Sequence, residues 1–203
     1  MRGCAKQLLD RPLAGSVRSG ALALGVAVAM CSASPAAGAG PDAGFNVQHA
    51  TTRLKDGVYR LDAVFELFLP RAPREALDSG VPLYVTIEMR VARERNWWWD
   101  ETVAALTQRY RLEFHALSGR FLVINLNTGV RHSFRTIDQA TAYIGRLMDF
   151  PLLDRVLVGE EWRYMGSVSV SLDLGRLPLP MVPGAYFSSE WRLRSEDYQW
   201  LLK

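Results

Sequence analysis

The chain has 203 residues, with 24 Lys and Arg against 21 Asp and Glu, a formal net charge of +3, and two cysteines. Residues 1–39 carry four of the bases (Arg2, Lys6, Arg11, Arg18), one acid (Asp10) and both cysteines (Cys4, Cys31), so the remainder holds 20 bases, 20 acids and no cysteine. A neutral remainder without charge runs argues against the clustered positive surface of a nucleic-acid binder, and the lack of cysteine removes any disulfide, thiol nucleophile or thiolate metal site.

The basic start, the eleven-residue apolar run from Ala21 to Cys31 and the small-residue exit Ala37-Gly38-Ala39 form the pattern of a secretory signal peptide. The run falls short of the about 20 residues that a bilayer span needs. Cleavage is expected after Ala39, which makes the protein periplasmic, with no membrane span after cleavage. An uncleaved signal would tether it to the inner membrane instead. Cys31 as a lipoprotein cysteine is a further alternative, disfavoured by the bulky Met30 before it. The expected organisation is a signal peptide over 1–39, a linker over 40–44 and one β-rich domain over 45–203, long enough to bury its own core.

From Phe45 the dominant period is two, the mark of strands with one buried face. A first strand over Phe45 to Leu54 ends at Lys55-Asp56-Gly57, a hairpin signal. Its partner puts Tyr59, Leu61, Ala63, Phe65, Leu67 and Leu69 on one face, with Arg60, Asp62 and Glu66 opposite, and Pro70 stops it. Arg71 to Ser79 predicts a short helix. Leu83, Val85, Ile87, Met89 and Val91 face inward on the next strand, and Tyr110, Leu112, Phe114 and Ala116 on the one after it. Ser118-Gly119 and Asn127-Thr128-Gly129 turn the chain into strands over Phe121 to Leu126 and Val130 to Phe134, a meander.

Ile137, Ala140, Tyr143, Ile144, Leu147 and Met148 recur at helical spacing, with Thr136 and Gln139 as a capping box and Pro151 just beyond the end. Strands then resume through Tyr164, Gly166, Val168, Val170, Leu172 and Leu174, alternating with Ser167, Ser169, Ser171 and Asp173. A proline-punctuated crossover from Arg176 to Pro183 leads to a last strand over Ser189 to Leu193. This pattern predicts a mainly β domain (α+β by content). The architecture expected is an antiparallel β-sandwich or open barrel, immunoglobulin-like in style, with one or two short helices inserted between strands.

In order along the chain come Leu67 to Pro70, Ala76 and Leu77, Gly80 to Leu83, Arg93 to Asp100, Arg109 to Leu112, Ala116 and Leu117, Phe134, Leu172 and Asp173, Leu177 and Pro178, and Ser188 to Trp191. Together these landmarks resemble a proteobacterial exported family known only as domain of unknown function 4390. The resemblance covers nearly all of the chain after residue 39. It implies no activity, cofactor or catalytic residue. It does imply an envelope-signalling context, because genes of this family lie beside a membrane sensor histidine kinase.

The segment holding Arg93, Arg95, Trp97, Trp98, Trp99 and Asp100 is the outstanding local feature. Strict alternation would bury Arg93 and Arg95, and burying unpaired guanidinium is expensive. This end must therefore leave the core, pair its arginines or contain a bulge. Trp97 and Trp99 share a face with the arginines, which suits cation–π stacking worth about 0.5–2 kcal/mol each. One reading is a binding edge for a sugar, a peptide or a partner protein, since Trp and Arg dominate interface hot spots. The other is that the tryptophans cap the end of the sandwich.

Glu113 and His115 share an outward strand face, but no nucleophile accompanies them at diagnostic spacing. His49, His115 and His132 show no paired-ligand spacing, so no metal or cofactor is expected. The row Ser167, Ser169 and Ser171 reads as a solvated strand face or as an edge open to strand addition. The leading expectation is a non-enzymatic binding module whose partner is a protein, with the membrane sensor kinase as the candidate. The rival is a periplasmic hydrolase acting on a cell-wall or glycan substrate through carboxylates such as Glu113 and Asp173.

Overall fold

The Asp56-Gly57 turn behaves as its sequence predicts: both residues have positive φ, 53° and 78°, which matches the twist a two-residue hairpin requires. It joins β1 (Phe45–Lys55) to β2 (Val58–Leu67) in antiparallel register, Lys55 opposite Val58. The structure, a computed structural model, describes residues 44–95 and 100–202. The expected signal peptide and all of the linker but Gly44 lie outside the described residues, as do Trp97, Trp98 and Trp99. No helix among the described residues is long and apolar enough to cross a membrane.

The described residues form two antiparallel sheets. The smaller has the order β1-β2-β7, with β7 spanning Arg146–Asp154. The larger runs β6-β5-β4-β3-β8-β9. Its strands are β3 (Leu83–Arg93), β4 (Glu101–His115), β5 (Arg120–Asn125), β6 (Arg131–Phe134), β8 (Tyr164–Leu172) and β9 (Tyr198–Leu201). The inward residues predicted for β2 and β3 are all buried, and Leu61, Leu83, Ile87, Met89 and Val91 have no exposed surface. They meet Val123, Val168 and Val170 from the large sheet in one core. The chain is thus mainly β and built of two sheets, with no closed barrel.

Among the described residues three short α-helices decorate the sheets, where the sequence predicts one or two: α1 (Arg71–Asp78), α2 (Ile137–Ile144) and α3 (Val182–Phe187). The Thr136 side chain caps α2 by accepting from the Gln139 N–H at 3.3 Å, while Gln139 Oε1 accepts from the Arg135 N–H at 3.2 Å. This is the expected capping box with its return bond displaced by one residue. Helix α3 starts at the end of the proline crossover, where Pro183 sits in its first turn with φ preset for a helix.

Two elements depart from the sequence reading. The helix predicted through Leu147 and Met148 ends at Ile144, and the chain becomes β7. Gly145 makes that switch: its carbonyl accepts from the Phe65 N–H at 2.8 Å, and a Cβ there would lie 2.5 Å from the Phe65 carbonyl oxygen. Leu147, Leu152 and Leu153 are buried by the strand rather than by a helix face. Pro151 is tolerated because β7 is an edge strand. The last strand is not Ser189 to Leu193. Hydrogen-bonded turns from Ser188 and Ser189 occupy that stretch and bury Trp191, and the strand is β9, in the tail. β8 therefore lies between β3 and β9, not at an edge.

Candidate functional site

Strand β3 leaves the core at the arginines by a route the sequence anticipates. A bulge between Val91 and Ala92 shifts the β3–β4 register, so that Arg93 faces Glu101. The Glu101 carboxylate then accepts from both the Arg93 and the Arg95 guanidinium. Glu94 donates its N–H to the Arg163 carbonyl at 3.0 Å, and the Arg95 N–H reaches Asp100 Oδ1 at 3.4 Å. Two arginines that alternation would bury are paired by one acid and brought toward the surface: Arg93 is 25% and Arg95 37% exposed.

Among the described residues Arg93 has an aromatic partner that the sequence reading does not name. The Arg93 guanidinium lies over the ring of Trp162, 4.7 Å from its centroid. Trp162 precedes β8 and is itself half exposed. Trp97, Trp98 and Trp99 lie outside the described residues, so of the predicted contact edge the structure places Arg93, Arg95 and Asp100 together and adds Glu101 and Trp162. Nothing in the local sequence marks Trp162. Its position follows from the pairing of Arg93 with Tyr164 between β3 and β8, strands far apart in the chain.

The other polar candidates are tied to their own neighbours. Glu113 pairs with Arg111, while His115 Nδ1 is 3.0 Å from Ser118 Oγ. Asp173 binds Arg176 at 3.3 Å and accepts from the Gly175 N–H at 3.1 Å. Arg111 and Tyr84 lie between Glu113 and Asp173 in the sheet register, with the Arg176 guanidinium 5.4 Å from the Tyr84 ring centroid. His49 sits at an irregularity in β1, and His132 packs 4.6 Å from Tyr143 by ring centroids. Among the described residues no group of three His, Cys, Asp or Glu is placed to hold a metal ion. Beneath α2, burial pushes the Tyr110 hydroxyl above its ordinary pKa of 10.0, and the nearby Tyr143 adds to the shift.

Residues 42–201 match the family described as Domain of unknown function (DUF4390). The chain belongs to that family. No curated protein and no solved structure matches it.

Proposed function

We propose that this DUF4390 chain is an exported periplasmic binding module, and that the end of its β3–β4 hairpin is the contact edge: Arg93, Arg95, Trp97, Trp98, Trp99 and Asp100. One observation carries the reading. Glu101 holds Arg93 over a half-exposed Trp162, and an arginine fixed in advance on an aromatic ring loses little side-chain freedom on binding. The signal-peptide pattern of residues 1–39 supports export, and the family's gene context makes a membrane sensor kinase the first partner to test.

The test is cross-linking of the tagged protein in the periplasm to the kinase's sensor region, comparing wild type with the double variant Arg95→Ala, Trp98→Ala. The reading expects a normal circular-dichroism spectrum and loss of the cross-link in the variant. An unfolded double variant would mean that these side chains cap the sandwich. Recovery of chaperones alone by the wild type would remove the interaction reading. N-terminal sequencing of the periplasmic protein checks cleavage after Ala39.

A further inference from the structure

A second set of arginines lies on the outer face of the large sheet, away from the hairpin end. Strand register places Arg109 opposite Thr86, Thr86 opposite Ser171, and Ser171 opposite Arg194, a single row across four adjacent backbones. At about 4.8 Å per strand the two arginine backbones stand about 14 Å apart. All four residues line one cavity of about 610 Å³, which Tyr186 of α3 and Arg192 also line. Its floor is made of hydroxyls. Thr86 is only 8% exposed although it points away from the core.

The backbone holds both flanking arginines in place. Arg109 donates its N–H to Asn127 Oδ1 at 2.9 Å, and its carbonyl accepts from the Leu126 N–H at 2.8 Å. Arg194 is pinned by its two neighbours: the Leu193 carbonyl accepts from the Leu172 N–H, and Ser195 bonds Val170 through both its N–H and its buried Oγ. The charge is left over. Two acids reach the cavity, but Glu88 is bound to Arg90 at 3.2 Å and Asp173 to Arg176 at 3.3 Å. Among the described residues no carboxylate lies within ion-pairing distance of Arg109, Arg192 or Arg194.

We propose that this cavity binds a tetrahedral oxyanion, a phosphate or phosphate ester, between Arg109 and Arg194. A planar carboxylate is satisfied by one guanidinium fork. Donors from the two ends of the row, from the hydroxyls between them and from Arg192 suit an anion that presents oxygens in several directions. The site is separate from the hairpin end and does not depend on the proposed interaction there.

The test uses protein recovered from expressing cells, titrated at low ionic strength with inorganic phosphate, glycerol phosphate and acetate by calorimetry. Saturable binding of the phosphates in preference to acetate is expected, weakened by salt. Arg109→Gln and Arg194→Gln should each weaken it about tenfold or more, the scale of a charge-assisted hydrogen bond. Arg120→Gln, on β5 and outside the cavity lining, should leave it unchanged, as should the hairpin double variant. Vesicles containing phosphatidylglycerol distinguish the source: capture lost in Arg109→Gln assigns a lipid headgroup, whereas binding of the free ester alone assigns a soluble one. Should a glutamine variant fail to fold by circular dichroism, Arg109→Lys and Arg194→Lys keep the charge, lose the fork and should still bind more weakly. No saturation in wild type, equal binding of acetate, or unchanged affinity in the folded variants overturns the proposal.

Discussion

The two ends of strand β3 carry arginines in opposite circumstances. At the hairpin end Arg93 and Arg95 share Glu101, and Arg93 also lies on Trp162. Toward the other end, Arg109 and Arg194 flank a row of hydroxyls, and no carboxylate among the described residues lies within ion-pairing distance of either. The same residue type, on one sheet, serves the fold in the first place and is left available in the second. The partners that folding assigns to an arginine, more than its neighbours in sequence, decide which role it takes.

Both ends rest on one core. Ile87 lies between them on β3, fully buried, so Ile87→Ala should cost about 2–5 kcal/mol of stability. Urea denaturation followed by phosphate binding and by tryptophan fluorescence should show both ends failing in a single transition. Two separate transitions would mean that the ends are independent.

A smaller and more local effect is expected at Gly166, which pairs with Trp200. A Cβ there would stand 2.4 Å from the indole ring, so Gly166→Ala must displace Trp200 at about 1–3 kcal/mol. In a Trp200→Ala background the same change should cost much less, a double-mutant cycle measurable by denaturation. Gly166 faces Val91, near the hairpin end, so phosphate binding should survive the substitution.

Glu101→Gln sharpens the contrast directly by leaving Arg93 and Arg95 as unneutralised as Arg109. These groups are partly exposed, so the loss should be about 1 kcal/mol or less, and less still in high salt. Comparing melts in low and high salt measures it. The smallest effect lies at alkaline pH. The folded state keeps the proton on Tyr110 more tightly than the unfolded chain, whose value is near 10.0. Its contribution is therefore complete below pH 10 and is lost as pH rises through the higher folded value. Tyr110→Phe should flatten the fall in stability above pH 10, read from melting temperatures across that range.

Much of the fold is legible in the chain because its signals are local. The alternation from Tyr59 to Leu69, the Asp56-Gly57 turn and the Thr136 cap each act within a few residues, and each forms as written. β7 is misread because Leu147 and Met148 fall at helical spacing and Pro151 resembles a stop, whereas pairing with β2 outweighs both. The site was legible only in part. Alternation alone announces that Arg93 and Arg95 need partners, but Trp162 reaches Arg93 through the pairing of β3 with β8. The Arg109–Arg194 row is assembled from four separate stretches of chain. Thr86 and Ser169 are outward strand positions, which a period-two pattern assigns to solvent, yet both are buried.

Trp200 has one more partner. Its Nε1–H donates to Thr52 Oγ1 at 3.2 Å, across 148 positions of sequence. β9, made after the other described strands, thus latches onto β1, made before them. β1 can find β2 early through its tight turn, but its tie to the large sheet through Trp200 must wait until β9 has been made. Folding rates fall as such distant contacts accumulate. A chain cut short before β9 lacks this latch even when every earlier described strand is present, and β1 is then tied to the large sheet only through its packing against β8 and the shared core.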